Sequence, residues 1–324
     1  MYFLSEEEKR LVLRRLLPQA RAHDVHPELR GWNWDKPPLS PIYDTRLAIY
    51  EIAGKYCPTS RDVYLRRVMG IKVPPSPAMS QGSQLHQILC QLFLAAKRLI
   101  YQHSENCLAP LRALSPADFL PVKETETRGT RQEATGTNEH NELNKLNSPN
   151  QLNELRTRAQ ILWDYEHPRI ISRVQEVLAR YPHIGADSLA SLALPLTVEQ
   201  RLDGSFLGLS PYLSADAFNF AEPMIVDIKF GWKQKFHRLG TTGYALVTES
   251  LHEYPVNLGC LVYASFKDNR LTVERDFHLI DDELRQWFIE ERDERMRMVS
   301  EEIDPGVAKE CPVGCPYQRE CHPA

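Results

Sequence analysis

Four of the seven cysteines stand at positions that link the two ends of the chain. Cys57 lies in the first quarter, and Cys311, Cys315 and Cys321 fall within the last fourteen residues. The charged N-terminal segment MYFLSEEEKR predicts no secretory signal, so we expect a reducing compartment and no disulfide framework. Thiolates at this spacing are typical ligands of a soft metal centre. Such a centre would fasten both chain ends to one place.

The composition is that of an ordinary soluble globular protein. Hydrophobic residues make up 42% and charged residues 25% of the 324 residues, which excludes a collagenous or wholly disordered chain. No apolar run approaches the roughly 20 residues that span a bilayer, so we expect a cytoplasmic protein without a membrane partner. The net charge of -4 and the pI near 6.3 do not indicate a strongly basic nucleic-acid-binding domain. Local patches or bound cations would have to hold any polyanion.

The N-terminal part alternates helical and extended patterns. Ser5 and Glu8 form a capping-box motif before a leucine-rich run, which predicts a first helix. The segment RGWNWDKPPLSPIYD is too rich in proline for a helix, and we interpret it as an ordered, extended wrapping segment. Residues 47–52 have the pattern of a short strand, which places Cys57 at a predicted strand-to-helix turn.

Helical patterns dominate the next part of the chain. Residues 78–102 carry apolar side chains every three and four positions, which predicts a long helix with His86 near its start. A second helical pattern covers residues 159–181. Between them, an asparagine stands at every third position from 138 to 153, a period that fits neither a helix nor a strand. We expect a mobile insertion at about 125–155 with no chemistry of its own.

Strand patterns appear from residue 194 onward. Three segments, LPLTVEQRL, YLSADAFNF and EPMIVDIKFG, are rich in β-branched and aromatic residues and are separated by turn residues. A helix at about 234–252, two further strand candidates and a charged helix from residue 281 follow. This order predicts a mixed α/β core. The predicted division is an N-terminal helical and extended segment, a helical region, a core of sheet and helices, and a cysteine tail (1–77, 78–193, 194–303 and 304–324).

Two acidic residues and a lysine form the strongest catalytic pattern. Asp227 and Lys229 are two apart on a predicted strand, so both side chains share one face. A hairpin would return Asp216, on the preceding strand, beside Asp227. These carboxylates and a main-chain carbonyl such as that of Ile228 form a ligand set that Mg²⁺ or Mn²⁺ prefers. Such a site suits phosphodiester hydrolysis, and His86 could complete the metal shell or contact DNA.

Together these motifs resemble the RecB-like nucleases that carry an iron-sulfur cluster. The residues that carry the resemblance are Gly82-x-x-x-His86, Asp216, Asp227-x-Lys229, Tyr244 and the cysteines Cys57, Cys311, Cys315 and Cys321. More specifically, the chain resembles the CRISPR-associated Cas4 nuclease family. The stretch from RGWNWDKPPLSPIYD through EIAGKYCPTSRDVYLRRV is similar to its archaeal type I-A subfamily, often called Csa one. The resemblance covers nearly the whole chain apart from the asparagine repeat.

The resemblance implies a PD-(D/E)xK nuclease core, a mixed sheet flanked by helices, with a [4Fe-4S] subdomain formed by both chain ends. It makes Asp216, Asp227 and His86 ligands of Mg²⁺ or Mn²⁺. Lys229 becomes the catalytic lysine, and Tyr244 the tyrosine of a Gln-x-x-x-Tyr helix motif. The implied function is a DNA exonuclease on single-stranded ends that trims precursor spacers alongside the CRISPR integrase complex.

Two positions depart from the family pattern. Gly240 stands where the helix motif has glutamine, four residues before Tyr244. Three residues separate Cys311 and Cys315, where two are commoner. A DNA-binding adaptor with a weak nuclease site is therefore the alternative function.

Several residues keep two interpretations at this stage. The four thiolates also suit a tetrahedral zinc ion. Glu199 fits an exposed strand glutamate better than an outer ligand of the metal site. Arg61, Arg66 and Arg67 could equally form a phosphate-binding patch or a solvated helix face.

Overall fold

A computed structural model of the chain describes residues 1–119, 149–219 and 223–322. The helices are α1 (Glu6–Leu11), α2 (Leu17–Ala22), α3 (Ile49–Ala53), α4 (Arg61–Arg67), α5 (Pro77–His103), α6 (Leu108–Ala113), α7 (Pro149–Arg180), α8 (Ala186–Ala193), α9 (Arg238–His252), α10 (Asp282–Ser300) and α11 (Gln318–Cys321). The strands are β1 (Leu196–Leu202), β2 (Leu213–Asn219), β3 (Met224–Phe230), β4 (Leu258–Lys267) and β5 (Arg270–Leu279).

The chain divides into two compact units. The sheet unit contains residues 1–74, 195–265 and 272–324, and the helical unit contains residues 75–194 and 266–271. Most of the expected insertion at 125–155 lies outside the described residues. Its last part is not an irregular segment, because Asn150 and Asn153 belong to the first turns of α7.

The strands form one mixed sheet in the order β1-β2-β3-β4-β5. β1, β2 and β3 are joined as antiparallel neighbours, whereas β3 and β4 run parallel. A parallel pair needs a crossover connection, and α9 supplies it between β3 and β4. The predicted α/β class, a mixed sheet flanked by helices, is confirmed, and each predicted strand from β1 to β5 forms.

The sheet opens between β2 and β3. The β3–β4 ladder covers the whole of β3, and the β1–β2 ladder runs from Leu196–Asn219 to Leu202–Leu213. β2 and β3 pair only from Asn219–Met224 to Ala217–Val226, although both strands continue beyond that last pair. Main-chain groups beyond Ala217 and Val226 therefore need partners other than the opposite strand. We call this opening the fork.

The core of the sheet unit joins the sheet to α3, α9 and α10. Ile52, Leu246 and Phe288 are buried at its centre, and burying side chains of this size contributes roughly 1.5–3 kcal/mol each. Gly243 lets α9 and α10 approach closely, because a Cβ atom there would stand 2.6 Å from the Phe288 ring. This packing fixes α9 against the sheet.

Buried arginines hold the proline-rich N-terminal segment in place. The Arg292 guanidinium donates to the main-chain carbonyls of Leu39 (2.7 Å) and Pro38 (3.0 Å). Arg30 donates to the buried Glu249 carboxylate at 3.0 Å. Charge-assisted bonds of this kind satisfy the carbonyls of a segment that has no ladder of its own. The segment is ordered, as predicted, but the expectation of an extended segment is wrong, because Gly31–Asn33 form a 3₁₀ turn and further turns follow to residue 40.

The predicted strand at residues 47–52 is wrong. Residues Ile49–Ala53 form α3, and Leu47 makes only one bridge, with Leu209. The Ala48 N–H donates to the Glu51 carboxylate at 2.8 Å, which caps the start of the helix. A short apolar run does not distinguish a strand from a buried helical turn. Cys57 therefore lies in a turn between two helices.

The first helix starts at the predicted capping box. The Glu8 N–H donates to the Ser5 hydroxyl at 3.2 Å, and the Ser5 N–H donates to the Glu8 carboxylate at 2.7 Å. A π-helical turn, Val12–Leu16, joins α1 to α2.

The helical unit is built on two long helices, α5 and α7, which pack against each other. Leu85, Leu89 and Phe93 form a buried stripe on α5, as the spacing of apolar residues predicts. The Met79 N–H donates to the Ser76 hydroxyl at the helix start. Among the helices that the structure describes, none combines the length and apolar character needed to cross a membrane.

Candidate active site and cysteine site

Three carboxylates stand in a row across three neighbouring strands. The β1–β2 register places Glu199 opposite Asp216. One position beyond the last β2–β3 pair, Asp216 stands opposite Asp227. Side chains at opposite positions of neighbouring strands project to the same face of a sheet. An oxygen of Glu199 and one of Asp216 lie within 4.8 Å of each other. We call Glu199, Asp216 and Asp227 the carboxylate row.

The fork orients the central carboxylate of this row. The Ile228 N–H, which lies on β3 past the end of the β2–β3 ladder, donates to Asp216 Oδ2 at 2.7 Å. The carboxylate thus replaces the carbonyl that a continuing strand would have supplied. The backbone of Asp216 belongs to β2, and its carboxylate is bound by the main chain of β3, so the side chain is fixed at both ends.

Lys229 is paired with the third member of the row. Its Nζ atom lies 2.9 Å from Asp227 Oδ2, and the Asp227 side chain is buried. Burial acts to lower the pKa of Lys229, but the carboxylates of Asp227 and Asp216 more than offset this, and the net pKa is raised. Lys229 therefore carries a positive charge at neutral pH.

Glu199 adopts a strained backbone in the middle of a strand. Its φ is 49°, in the left-handed region, which costs about 1–3 kcal/mol for a residue other than glycine. The Ser214 hydroxyl donates to Glu199 Oε2 at 2.7 Å. The sequence favours an exposed strand glutamate here, whereas the structure places a half-buried carboxylate beside Asp216. Strain of this kind is typical of functional positions.

Tyr244 and Gly240 lie on the side of α9 that faces the row. Burial raises the pKa of Tyr244, and the negative charges of the row raise it further, so the hydroxyl stays protonated. Gly240 is one turn earlier, and a Cβ atom there would stand 3.4 Å from Asp227 Oδ2. The position at which the family motif has glutamine thus faces a member of the row.

The remaining residues of the predicted site have less direct support. His86 is half-buried near the start of α5, in the helical unit. Ile228 takes part in the site through its N–H, which binds Asp216. The metal-ligand roles of the His86 imidazole and of the Ile228 carbonyl stay predictions.

The four cysteines predicted to bind a metal centre are free, half-buried thiols in the sheet unit. Burial raises the pKa of Cys315, and the nearby thiols of Cys311, Cys57 and Cys321 raise it further. The turn at Cys57 and the C-terminal tail therefore meet here. We call these four residues the cysteine site.

Contacts outside the thiols hold the cysteine tail to the turn that carries Cys57. The Arg61 guanidinium binds both oxygens of Asp304 at 2.9 Å. The Thr59 hydroxyl donates to the Gly306 carbonyl, also at 2.9 Å. These contacts place the tail beside the start of α4.

The arginines of α4 are occupied by partners within the sheet unit. Arg67 forms an ion pair with the buried Glu51, and Arg66 lies 3.6 Å from the same carboxylate. Arg66 Nε also donates to the Tyr317 hydroxyl at 3.3 Å. Since the charge of Arg61 is likewise paired, these contacts favour a structural role over a phosphate-binding patch.

The donor set of the cysteine site is four thiols. Thiolates are soft ligands, and four of them suit a [4Fe-4S] cluster as well as a tetrahedral zinc ion.

Comparisons with known proteins place this arrangement in a family. The family model described as "CRISPR-associated exonuclease Csa1" matches residues 1–135 and 121–324, and so spans the chain. The chain belongs to the CRISPR-associated exonuclease Csa1 family. This confirms the resemblance of the N-terminal motifs to Csa1.

Two curated Csa1 relatives match the chain over nearly its whole length. The protein named CRISPR-associated exonuclease Csa1 from Saccharolobus solfataricus is 30% identical over 99% of this chain and 100% of its own length. The protein of the same name from Thermoproteus tenax is 30% identical over 97% of this chain and 98% of its own length. The search of solved structures returned no significant match for this Csa1 family member.

Two parts of this Csa1 site escape sequence reasoning. Counting back from the β1–β2 turn would have placed Glu199 opposite Asp216, but its positive φ leaves no signature in the sequence. The contacts of His237 with Tyr56 and Tyr263 join residues that are up to 181 positions apart. No local pattern indicates them.

Proposed function

We propose that this chain is a metal-dependent DNA exonuclease with a RecB-like PD-(D/E)xK core and a structural [4Fe-4S] cluster. It acts on single-stranded ends during CRISPR spacer acquisition, with DNA and the CRISPR integrase complex as partners. One observation carries the proposal: Asp216 and Asp227 stand opposite each other at the fork, and the Lys229 ammonium lies 2.9 Å from Asp227. The name exonuclease, which both relatives bear, supports the reaction class.

The carboxylate row supplies the hard oxygen ligands that Mg²⁺ and Mn²⁺ prefer. Asp216 and Asp227 would hold the ion, Glu199 is close enough to Asp216 to share it, and the proposal keeps His86 and the Ile228 carbonyl as further ligands. A bound ion would supply charge to the phosphate and lower the pKa of a coordinated water. The fit rests on the donor set and on the orientation that the Ile228 N–H gives to Asp216.

The chain's own groups define the remaining roles. The Lys229 ammonium, charged at neutral pH, is placed to donate to a phosphate oxygen beside Asp227 and to orient the attacking water. The protonated Tyr244 hydroxyl offers a second donor on the same face. Both groups complement a developing negative charge.

The loop after β3 supports a single-stranded substrate. Trp232 is 89% exposed, and the exposed Lys233 and Lys235 follow it. Exposed aromatic rings with nearby lysines are the usual means of stacking bases and tracking a single strand. Trp232 lies five residues beyond Asp227, a path of at most about 16 Å at the rise of a strand. A short DNA end could therefore reach the loop and the row together.

End-labelled single-stranded DNA with Mn²⁺ tests the nuclease proposal. We expect Asp227→Ala and Lys229→Ala each to lower the cleavage rate by 100-fold or more, on the order expected for loss of a charge that stabilises the transition state. Glu290→Ala removes an exposed carboxylate on α10 outside the row and is the matched control. Cleavage by both alanine variants at the parent's rate would overturn the assignment.

Metal analysis after anaerobic purification tests the cluster. Four thiolates suit a [4Fe-4S] cluster and a zinc ion alike, and the family resemblance favours iron and sulfide. We expect a brown protein with about four iron atoms per chain and broad absorption near roughly 400 nm. A colourless protein with one zinc per chain would replace the cluster with a zinc site.

A DNA-binding adaptor is the second candidate function. Gly240 favours it, because the glutamine side chain that the family motif places beside Asp227 is missing. If the parent cleaves no DNA with Mg²⁺ or Mn²⁺, and both the parent and Asp227→Ala bind DNA ends, the adaptor is correct. Turnover by the parent excludes it.

A further inference from the structure

Three side chains connect the cysteine-bearing turn with the strand beside Lys229. The Tyr56 hydroxyl, one residue before Cys57, lies 2.8 Å from His237 Nε2. His237 Nδ1 lies 3.1 Å from the Tyr263 hydroxyl. Tyr263 stands on β4 and pairs with Lys229 in the parallel β3–β4 ladder, so the two side chains share one face of the sheet. We call Tyr56, His237 and Tyr263 the tyrosine–histidine chain.

The hydrogen-bonding protons of the tyrosine–histidine chain have one consistent arrangement. The Tyr263 hydroxyl donates to the Gln234 carbonyl at 3.4 Å, so its oxygen accepts from the Nδ1–H of His237. Burial and the positive charge of Lys229 lower the pKa of His237 to about 4, which leaves the ring neutral at pH 7. Its Nε2 lone pair then accepts from the Tyr56 hydroxyl. Each contact has one donor and one acceptor.

Tyr56 is positioned mainly by its contacts within the tyrosine–histidine chain. The imidazole of His237 is buried, and the Phe236 ring meets it edge-on with centroids 4.9 Å apart. Tyr56 is 57% exposed, and the same Phe236 ring meets it edge-on at 5.0 Å. A side chain so exposed is positioned by its few specific contacts and not by burial. A shift of the turn around Cys57 would therefore shift Tyr56 and the imidazole with it.

We propose that Tyr56, His237 and Tyr263 are positioning residues that couple the cysteine site to the Lys229–Asp227 pair. An ordered cysteine site fixes the turn at Cys57, the turn fixes Tyr56, and the imidazole passes this constraint to Tyr263 beside Lys229. The coupling rests on the proposed nuclease function and names residues to which the family motifs give no role.

Removing one hydroxyl tests the positioning role. Tyr56→Phe keeps the ring against Phe236 and loses only the bond to His237. We expect kcat on end-labelled DNA to fall about 10-fold, the scale of one lost hydrogen bond with a displaced reacting group, while KM changes less than about twofold. Iron content should equal that of the parent, so the loss does not come from a missing metal centre.

Tyr50→Phe is the matched control. Tyr50 lies on α3, is 63% exposed and stacks under the Arg66 guanidinium, a contact that phenylalanine retains. Its kcat should equal that of the parent. In the double variant Tyr56→Phe/Tyr263→Phe, kcat should fall by less than the product of the two single losses. Both substitutions interrupt the same tyrosine–histidine chain of hydrogen bonds.

Depletion of the metal centre by a chelator tests the coupling itself. On depletion, kcat of the parent should fall by a larger factor than kcat of Tyr56→Phe, because that variant already lacks the hydrogen bond to His237. An equal fall in the two proteins would overturn the coupling. If the parent cleaves DNA and Tyr56→Phe keeps the parent's kcat, the inference fails and the proposed function stands. A parent without turnover refutes the proposed function instead.

Discussion

The carboxylate row and the cysteine site lie in the same unit but are held by different means. The row rests on strand register, and a main-chain N–H fixes its central member at 2.7 Å. The cysteine site rests on a turn and a C-terminal tail, which the Arg61–Asp304 ion pair and the Thr59–Gly306 hydrogen bond join. The sheet orders the row before any ligand arrives. We propose that a metal centre makes the cysteine site equally rigid.

The difference follows from the energies involved. Ladders and a buried core flank the row, so the sheet holds its backbone. A partly exposed ion pair contributes about 0–1 kcal/mol, which is too little to order a tail by itself. Metal binding contributes far more, since ligands that are dispersed in the unfolded chain come together only on folding. Changes at the row should therefore affect activity, and changes at the cysteine site should affect stability as well.

The largest effect is expected from Asp216→Asn. The amide oxygen can still accept the Ile228 N–H, so the fork keeps its shape, but a charge of the row is lost. We predict a fall in cleavage rate of about 100-fold or more, with the melting midpoint within about 2 °C of the parent. End-labelled DNA assays and thermal melting measure the two. A melting midpoint lowered by 10 °C would mean that the row is held no more firmly than the cysteine site.

We expect Cys311→Ser to destabilise the cysteine site, in contrast to substitutions in the row. Loss of one thiolate ligand removes the metal centre and leaves the tail with its weak contacts, so we predict loss of iron and a melting midpoint at least about 5 °C lower. Cys90→Ala, a change at a buried thiol on α5, is the control and should keep its iron. Full iron content and unchanged melting in Cys311→Ser would remove this residue from the site.

Substitutions at Glu199 distinguish the effect of backbone strain from the effect of metal binding. Glu199→Gly relieves the backbone at φ 49° and removes the carboxylate, so we predict a free energy of unfolding about 1 kcal/mol higher and a Mn²⁺ affinity about 10-fold lower. Glu199→Gln keeps the strain and should lose affinity without gaining stability. Urea unfolding and Mn²⁺ titration provide both numbers. If Glu199→Gly binds Mn²⁺ as the parent does, only two carboxylates of the row bind the ion.

Gly240→Gln should give the smallest change and sharpen the role of α9. The new amide would lie beside Asp227 and restore a polar donor at the row, and we predict a rise in cleavage rate of about threefold. Gly240→Ala is the control, because it shares the gain in helix propensity of up to about 1 kcal/mol but lacks the amide. Equal rates in the two variants would show that the missing glutamine does not limit activity.

Local patterns alone predict much of this molecule. Runs of β-branched and aromatic residues predict β1 to β5, apolar spacing predicts α5, and Ser5 with Glu8 predicts the first helix start, because each depends on residues a few positions apart. A local pattern gives the wrong prediction at residues 47–52, where the apolar run that suggests a strand forms α3. Tertiary packing decides between the two states for so short a segment.

The sequence by itself determines the chemistry that is available: the thiols at both chain ends, the Asp227–Lys229 pair on one strand face and membership of the Csa1 family. Only the tertiary structure brings Glu199 into the row, opens the fork at Asp216 and joins Tyr56 to His237. Strand register, ladder ends and hydrogen bonds between distant segments depend on how the whole chain packs. No stretch of sequence encodes them alone, because their energy exists only between elements that folding has brought together.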